Sequence, residues 1–317
     1  MRVVVIGGTG HIGTFLLPRL VEAGYEVINV SRGQRQPYQP HGAWQKVQHV
    51  VADRGEEEKA GRFGQRILDT APDVVMDLTC YTLPSAQQLV EALRGQISHF
   101  LHCGTIWVHG PSREVPTTEE QPREPFGDYG CQKAAIEAYL LTEARRHGFP
   151  ATVLHPGHLV GPGWAPLNPA GHFHPRVFSD LAQGRAVRLP NLGRECVHHV
   201  HADDVAHAFV NSTFHWSQAV GESFHVVSPA ALTLCGYARA VAEWFGREAQ
   251  LQFLPWEEWK QTVSKQEAQV TWEHIARSPN CSIEKARRRL GYQPRYRSLE
   301  AIRESVLALV QNKVIEV

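Results

Sequence analysis

A glycine-rich turn near the N-terminus constrains the fold of this 317-residue sequence more than any other feature. The turn reads Gly7-Gly8-Thr9-Gly10-His11-Ile12-Gly13; the β-branched run Arg2–Ile6 precedes it, and apolar residues at helical spacing follow it. This order predicts a buried strand, a tight turn and a helix. Glycines at such a junction let the backbone approach a pyrophosphate, and the helix N-terminus offers free N–H groups, so the segment predicts a dinucleotide-binding site. The candidate contacts are Gly7, Thr9, Gly10, His11, Ile12 and Gly13.

Strand and helix patterns alternate through the N-terminal half of the chain. Strands are predicted over residues 2–6, 26–30, 48–52, 73–78, 99–103 and 151–155, and helices over 85–94 and 129–146. This alternation predicts an α/β fold with a doubly wound parallel sheet of the Rossmann type, covered by helices on both faces.

The sequence changes character after His158. Residues 161–175 are rich in Gly, Pro, Asn and His without a clear period, which predicts a loop or lid. Beyond them, helices are predicted over 177–183, 234–244 and 299–309, and short strands over 223–227 and 251–254. We therefore expect a dinucleotide-binding domain over 1–157, to which 198–212 returns, and mainly a smaller α/β substrate domain over 158–317.

Charge and composition narrow the function classes. The 32 Lys and Arg residues balance the 32 Asp and Glu residues, so no basic excess indicates nucleic-acid binding. No apolar stretch is long enough to cross a membrane, and no signal-peptide pattern opens the chain. The six cysteines are scattered without a Cys-x-x-Cys motif, as is typical of reduced thiols in the cytoplasm. We expect a cytoplasmic protein with a small-molecule substrate.

The end of the second predicted strand bears on the choice of cofactor. NAD-binding chains carry an acidic residue there, which holds the ribose 2′-hydroxyl. This sequence has Ser31 and Arg32 instead, a pair that can hold a 2′-phosphate, so NADP is favoured over NAD. The alternative is that Arg32 stacks on the adenine or faces solvent. Asp53 and Arg54, after the third predicted strand, are candidates for the adenine edge, and Asp53 can equally be a plain turn residue.

Tyr129 and Lys133 lie four residues apart in a predicted helix, so they share one helix face. A free tyrosine has a pKa of about 10, too high for proton transfer near neutral pH. A neighbouring lysine cation and an oxidised nicotinamide would lower the pKa of Tyr129, which could then act as general acid and base. Thr105 follows the fifth predicted strand, and its hydroxyl is expected in the same crevice. These three residues are the candidate catalytic set.

Motifs along nearly the whole chain together resemble the extended short-chain dehydrogenase/reductase family, in particular its NAD-dependent epimerase/dehydratase branch. They are the glycine loop at 7–13, the Thr105 segment up to Gly110, Tyr129-x-x-x-Lys133, and the segments 155–163, 200–206 and 285–294. The resemblance implies a Thr105–Tyr129–Lys133 triad in which Lys133 also binds the nicotinamide ribose. It implies that Pro156 and His158 line the nicotinamide, and that the protein forms a homodimer through the helix carrying Tyr129. The candidate cofactor contacts also include Leu78, Thr79 and Cys80, at the end of the fourth predicted strand.

Three further departures from the family pattern bear on the substrate. Dehydratases of the family follow the threonine with Asp-Glu, whereas Ile106-Trp107 follows it here, so dehydration is disfavoured. Sugar-nucleotide epimerases carry an arginine that holds the diphosphate where this sequence has Val197, and Arg194, three residues earlier, is the candidate substitute. This departure disfavours a UDP-sugar substrate. His158 also stands where the family often has asparagine.

The 18 histidines and several tryptophans supply further candidates. His198 and His199 are candidates to line the substrate pocket or to satisfy local hydrogen bonds. Trp107 and Trp164 are candidates to shape that pocket, with core packing as the alternative. The close-set histidines at 198–201 and 172–174 lack an evident Cys or Glu partner, so no metal site is predicted.

Three functions remain open from the sequence. The first is an epimerase that acts by reversible hydride transfer at a secondary alcohol or ketone, which a nucleotide sugar can supply. The second is an NADPH-dependent reductase or dehydrogenase of a small carbonyl compound. The third is a non-catalytic dinucleotide-binding protein with a regulatory or RNA-associated role, against which the intact Thr–Tyr–Lys set and the absent basic excess argue.

Overall fold

A seven-stranded parallel sheet forms the centre of the computed structural model, which describes residues Met1–Val317. The strands of the chain are β1 (Arg2–Ile6), β2 (Glu26–Ser31), β3 (Gln48–Val51), β4 (Val74–Asp77), β5 (His99–Cys103), β6 (Ala151–Pro156), β7 (His158–Val160), β8 (Val187–Pro190), β9 (Cys196–Val197), β10 (His199–His201), β11 (Ser223–Val226), β12 (Leu232–Thr233) and β13 (Leu251–Leu254). The order in the central sheet is β11-β6-β5-β4-β1-β2-β3. The direction of winding therefore reverses between β1 and β4, and the predicted doubly wound α/β fold is confirmed.

Helices cover both faces of this sheet and build the rest of the molecule. They are α1 (His11–Glu22), α2 (Arg54–Lys59), α3 (Phe63–Leu68), α4 (Leu83–Leu93), α5 (Gly127–His147), α6 (Arg176–Ala182), α7 (Ala202–Phe214), α8 (Trp216–Ala219), α9 (Leu234–Trp244), α10 (Trp256–Trp259), α11 (Lys265–Ile275), α12 (Glu284–Leu290) and α13 (Ser298–Gln311). Short 3₁₀ helices span Gly42–Lys46 and Ile106–His109. No helix is both long and apolar enough to cross a lipid bilayer.

Alternate residues of the central strands pack into two different cores, as the two-residue period of a strand requires. Val3 and Val5 of β1 share a core with residues of α1 and α7. Val4 and Ile6 face the other way and share a core with residues of α3, α4 and α5. Because both faces are covered, the central strands are almost entirely buried.

The strand predicted over 223–227 lies elsewhere than expected. We expected it in the smaller C-terminal domain, but β11 pairs in parallel with β6, with Ser223 opposite Val153, and forms one edge of the central sheet. The chain returns to the sheet through α7, which packs on α1. An ion pair joins the two helices, because Asp203 of α7 accepts two hydrogen bonds from Arg19 of α1, at 2.5 and 2.8 Å. The partner of a short strand is set by this long-range packing and not by its own sequence pattern.

A second lobe has its own apolar core. Its parallel pair of β8 and β13 packs with α6, α9 and α13 around Phe178, Tyr237 and Val306. The predicted loop over 161–175 contains no helix or strand, and its Leu167 and Ala170 are buried in this core. The loop is therefore anchored to the second lobe by the residues that it buries in this core.

Candidate active site

A cavity of about 750 Å³ opens at the carboxyl ends of the central strands. The glycine loop between β1 and α1 lines it, together with residues that follow β2, β4 and β6. Thr105, Tyr129 and Lys133 line the same cavity. In open α/β sheets ligands bind where the strand order reverses, which here is the place between β1 and β4. This cavity is therefore the candidate active site.

The glycine loop can hold a dinucleotide pyrophosphate. Gly7 has φ 87°, and a Cβ there would lie 2.3 Å from the Thr79 side chain. A Cβ on Gly13 would lie 2.1 Å from the carbonyl oxygen of Gly8, whereas one on Gly10 would meet only the Gly7 carbonyl, at 3.4 Å. Helix α1 begins at His11 without a side-chain cap, so its first N–H groups remain free for an anion. The space beside Gly10, next to the free N–H groups at the start of α1, fits the pyrophosphate of a dinucleotide.

A buried asparagine in β2 holds the glycine loop by a hydrogen bond. Asn29 is fully buried, and its Oδ1 accepts a hydrogen bond of 3.0 Å from the Gly8 amide. Sequence reasoning missed this residue, although a polar side chain inside an otherwise apolar strand was the available signal. Its role is to hold the shape of the loop.

The end of β2 offers no carboxylate to the cavity. Ser31 and Arg32 both line it, followed by Gly33, Gln34 and Arg35. The Ser31 hydroxyl accepts a hydrogen bond of 3.3 Å from the Gly33 amide, and the Arg32 side chain is exposed. This part of the wall is therefore polar and basic.

Asp53 and Arg54 line the cavity in structural roles of their own. Asp53 caps the N-terminus of α2, where its Oδ1 accepts a hydrogen bond from the Glu56 amide at 3.2 Å. Arg54 donates to both oxygens of the fully buried Asp77, at 2.8 and 2.9 Å, and to Glu58 at 2.6 Å. Its charge is therefore balanced within the protein.

The three candidate catalytic residues converge on the cavity from two elements. Thr105 follows β5 and caps the 3₁₀ helix Ile106–His109, while Tyr129 and Lys133 lie one turn apart on α5. The Lys133 ammonium is buried and donates hydrogen bonds of 2.7 Å to the carbonyl oxygens of Cys80 and Cys103. These bonds fix the lysine at the ends of β4 and β5.

The protein surroundings of Tyr129 raise the pKa of its phenol. Although the residue is 41% exposed, desolvation by the cavity walls raises this pKa above its ordinary value, the Cys103 and Tyr81 groups act in the same direction, and a hydrogen bond with Thr105 opposes them. We expected Lys133 and an oxidised nicotinamide together to lower it, and the effect of the nicotinamide stays a prediction. The lysine instead directs its ammonium at two carbonyl oxygens, and burial lowers its own pKa. The tyrosine is thus set to hold its proton.

A buried arginine without a carboxylate partner lies beside the catalytic residues. Arg277 is 1% exposed, and its guanidinium carbon lies 3.7 Å from the ring centre of Trp107 and 3.8 Å from that of Phe126. It donates to the Glu273 carbonyl and, at 2.5 Å, to the Phe126 carbonyl, its Nε has no partner, and burial lowers its pKa to about 10. No salt bridge to a carboxylate balances this charge, and sequence reasoning missed the residue because it lies outside the motifs that carry the resemblance.

Comparison with known proteins places the chain in a family. The sequence model described as the NAD dependent epimerase/dehydratase family matches residues 3–226. This span contains the glycine loop, Thr105, Tyr129 and Lys133. The chain belongs to this family.

Individual relatives are distant. The chloroplast stem-loop binding protein of 41 kDa b of Arabidopsis thaliana is 25% identical over 96% of this chain and 78% of that protein. The 2'-dehydrokanamycin reductase of Streptomyces kanamyceticus is 29% identical, over only 43% of this chain and 37% of that protein. The crystal structure of a UDP-glucose 4-epimerase with UDP-glucose from Thermotoga maritima superposes with a TM-score of 0.76 at 21% identity, covering 99% of this chain and 100% of that one. The last comparison shows that the fold is shared.

Some of the other predicted cofactor contacts of this epimerase/dehydratase family member line the cavity, and others do not. Leu78, Thr79 and Pro156 line the cavity, together with the glycine-loop residues. Cys80 contributes its carbonyl oxygen to Lys133, and its side chain is buried elsewhere. His158 does not line the cavity, although its neighbours Gly157 and Leu159 do, and its Nε2 is shielded from solvent and without a partner.

The predicted substrate residues, apart from Thr105, do not line the cavity. His198 is fully buried between the Ser228 carbonyl and the Cys281 amide, at 2.8 and 3.1 Å. His199 is buried against the Leu167 carbonyl, at 3.2 Å, so both histidines satisfy local hydrogen bonds. Trp107 packs edge-on against Tyr129, with ring centres 5.8 Å apart, whereas Trp164 stacks on His11.

A cluster of three buried histidines behind the site was not found from the sequence. The ligating nitrogens of His109, His155 and His225 lie within 4.8 Å of one another, and the Nε2 atoms of His109 and His225 are 2.8 Å apart. These residues are far apart in the sequence, so no motif reveals them.

The contacts of His109 and His225 in this cluster fit a hydrogen-bonded pair of imidazoles better than a metal site. Arg123 lies 3.4 Å from His109 Nδ1 and can only donate, so that nitrogen accepts and Nε2 carries the proton toward His225. His225 then donates from Nδ1 to the Ser282 carbonyl, at 3.2 Å. A metal-bound histidine needs an acceptor for its second N–H, and His109 faces a guanidinium instead.

Proposed function

We propose that the protein is a nicotinamide-dependent oxidoreductase of the epimerase type, acting at a secondary alcohol or ketone of its substrate. One observation carries this proposal: Thr105, Tyr129 and Lys133 line the same cavity as a glycine loop that fits a dinucleotide. A binding protein needs the loop alone. This cavity also contains a proton donor (Tyr129), a hydrogen-bonding hydroxyl (Thr105) and a buried cation (Lys133), which are the groups that proton transfer at a substrate oxygen requires.

The roles of the residues follow from their placement. Tyr129 would take the proton of a substrate hydroxyl and return it to the carbonyl oxygen, and Thr105 would hydrogen-bond the same oxygen. Lys133, anchored by two carbonyl oxygens, would hold the nicotinamide ribose and offset the charge of a tyrosinate. The cofactor would supply the hydride acceptor and donor when bound. In an epimerase the substrate is oxidised, turns over and is reduced again, so there is no net redox change.

The residues after Thr105 argue against dehydration. Ile106 is buried in the apolar core, and Trp107 packs against Tyr129 and Arg277. Elimination of water requires a second proton donor near the reacting carbons. The positions next to Thr105 supply none.

Arg277 supports an anionic substrate, such as a nucleotide sugar. Its guanidinium has no carboxylate partner, and its Nη2 lies 3.6 and 3.4 Å from the Cβ positions of Gly127 and Gly130, at the start of the helix that carries Tyr129. Arg277 does not itself line the cavity, and its guanidinium contacts two carbonyl oxygens and two aromatic rings but no anion. Burial of a cation without a counter-anion is costly, and an anionic ligand bound nearby would relieve that cost. The similar Thermotoga enzyme is a UDP-glucose 4-epimerase, which agrees with this substrate class.

The cofactor proposed is a nicotinamide dinucleotide, with NADP preferred. The family is described as NAD dependent. The wall formed by Ser31, Arg32 and Arg35 nevertheless offers hydroxyl and cationic groups, and no carboxylate, to the ribose 2′ position.

A second candidate function is NADPH-dependent reduction of a small carbonyl compound. The same basic wall favours it, and the partial match to 2'-dehydrokanamycin reductase agrees with it. The two functions differ in what happens to the cofactor. An epimerase reuses one bound dinucleotide, whereas a reductase consumes NADPH in proportion to product.

Mass spectrometry of ligands released from the purified protein, combined with assays of UDP-sugars, tests the proposal. We expect a dinucleotide to be released, and interconversion of epimers without net change in nicotinamide absorbance. Stoichiometric loss of NADPH with a carbonyl substrate would establish the reductase instead. Full function in a Tyr129→Phe variant would contradict both, and would favour a binding role like that named for the Arabidopsis relative.

A further inference from the structure

The loop 161–167 of the second lobe reaches the outer side of the glycine loop. The Trp164 indole stacks on the His11 ring, with centres 3.9 Å apart and planes 8° from parallel. The indole Nε1 donates to the Leu159 carbonyl at 3.1 Å. A Cβ at Gly161 would lie 2.6 Å from the indole, so glycine leaves room for this ring. The stack is thus a fitted contact between the two parts of the molecule.

Tyr38 completes the contact from a third segment. Its hydroxyl lies 3.1 Å from His11 Nε2, and its amide donates to Thr14 Oγ1 at 3.0 Å. Gly163 has φ 112°, and a Cβ there would lie 2.7 Å from the Tyr38 ring. Gln39 donates to the Pro162 carbonyl at 3.4 Å. The segment after β2 and the loop 161–167 are therefore joined across His11.

The position of His11 makes this contact relevant to a bound ligand. His11 is the first residue of α1 and lines the cavity beside Gly10, and Tyr38 also lines it. Trp164 does not line the cavity, so it supports His11 from behind. Burial and the nearby Arg35 lower the pKa of His11 to about 4, so its ring is neutral at physiological pH. It acts as a wall of the cavity and not as a countercharge.

We propose that Trp164, His11 and Tyr38 form a latch that holds the loop 161–167 against the glycine loop and slows release of the dinucleotide. The inference rests on the proposed function, because it assumes a dinucleotide in this cavity. It deepens that function by assigning a positioning role to Trp164, which touches neither the reacting groups nor the cavity. Retention of the cofactor is what an enzyme requires when it returns the hydride to the same substrate molecule.

The test is the dissociation rate of the reduced dinucleotide. The protein loaded with reduced cofactor is mixed with excess oxidised cofactor, and the change in nicotinamide fluorescence follows the release. Trp164→Ala should release the cofactor roughly tenfold faster, because the aromatic stack and its buried surface are lost. Trp164→Phe should restore slow release, since a phenyl ring can still stack on His11. Tyr38→Phe should give an intermediate rate, because only the hydrogen bond to His11 is removed.

Trp216→Ala is the matched control. Trp216 is also a partly exposed tryptophan whose indole donates to a backbone carbonyl, that of Ser98 at 2.8 Å, but it does not line the cavity. Its removal should leave the release rate unchanged. Equal rates for wild type and Trp164→Ala, with tight binding in both, would overturn the latch alone. A wild-type protein that binds no dinucleotide would overturn the proposed function as well.

Discussion

The ammonium nitrogen of Lys133 lies 5.9 Å from the centre of the Tyr129 ring while it donates to the carbonyl oxygens of Cys80 and Cys103. The cation is therefore held near the phenol by the backbone of two strands and does not bond to the phenol itself. Because burial raises the pKa of Tyr129, the phenol keeps its proton at neutral pH. It is poised to donate, and it must lose that proton before it can act as a base.

Tyr129→Phe should lower turnover by about two to four orders of magnitude, because a positioned general acid and base contributes that much. Affinity for the dinucleotide should change little, since the glycine loop is untouched. Steady-state kinetics and calorimetric titration measure the two quantities. Unchanged turnover would remove Tyr129 from the mechanism.

The pH dependence of the reaction should reflect the protonated state of the Tyr129 phenol. Epimerisation begins with oxidation of the alcohol, which requires the tyrosinate, so kcat/KM should rise with pH from neutral into the alkaline range. Reduction of a ketone, the first step of the second candidate function, requires the phenol, so its kcat/KM should stay flat over the same range. An epimerase whose kcat/KM does not rise with pH would contradict this assignment.

Ser31→Asp combined with Arg32→Ala should shift cofactor preference toward NAD. The new carboxylate can hold the ribose 2′-hydroxyl and repels a 2′-phosphate, and a charge-assisted hydrogen bond of this kind corresponds to about tenfold to a hundredfold in affinity. Dissociation constants for NAD and NADP measure the change. Arg66→Ala, which replaces an exposed arginine outside the cavity, is the control. Equal affinity of the wild type for both cofactors would contradict the preference for NADP.

The sheet could be predicted strand by strand because β-branched runs alternate with helical patterns from β1 to β6. Strand β11 was misplaced because its sequence, Ser-Phe-His-Val, carries no sign of its partner. Only the packing of α7 on α1 brings it beside β6. Local pattern thus fixes the presence of a strand, and long-range contacts fix its place in a sheet.

The site divides in the same way. Motif spacing located Thr105, Tyr129 and Lys133, which the fold brings to one cavity. It left open whether His198 and His199 line the pocket or satisfy local hydrogen bonds, because the direction of a side chain depends on packing that a motif does not contain; in the structure both make local hydrogen bonds. Arg277 went unnoticed for the related reason that its neighbours come from distant segments.

The buried histidines should make the fold sensitive to mild acid. Burial lowers the pKa of His198 to about 4 and that of His199 to about 3. Between those values and about 6.5, the unfolded chain binds protons that the folded chain excludes, so stability falls as the pH falls. A tenfold difference in proton affinity between the folded and unfolded chains corresponds to about 1.4 kcal/mol per group. Thermal melting between about pH 7 and about pH 4 should show a steep drop below about pH 6.5.

A substitution separates this effect from general acid denaturation. His198→Asn removes one titrating group while keeping an acceptor for the Cys281 amide, so its stability should depend less steeply on pH. His147→Asn, at an exposed position, should leave the slope unchanged. Identical slopes for all three proteins would show that His198 does not titrate on unfolding.

The pair of Arg54 and Asp77 should matter more for stability than for binding. Arg54→Met leaves the fully buried carboxylate of Asp77 without its cation, which costs about 3–5 kcal/mol when a buried pair is broken on one side. The double variant Arg54→Met/Asp77→Asn removes the charge as well, and its amide oxygen can still accept from the Thr79 amide. It should therefore recover part of the loss in urea denaturation. A single variant as stable as wild type would show that the pair contributes nothing to folding. If the double variant recovers stability but not affinity for the dinucleotide, Arg54 would instead be a residue that binds the cofactor.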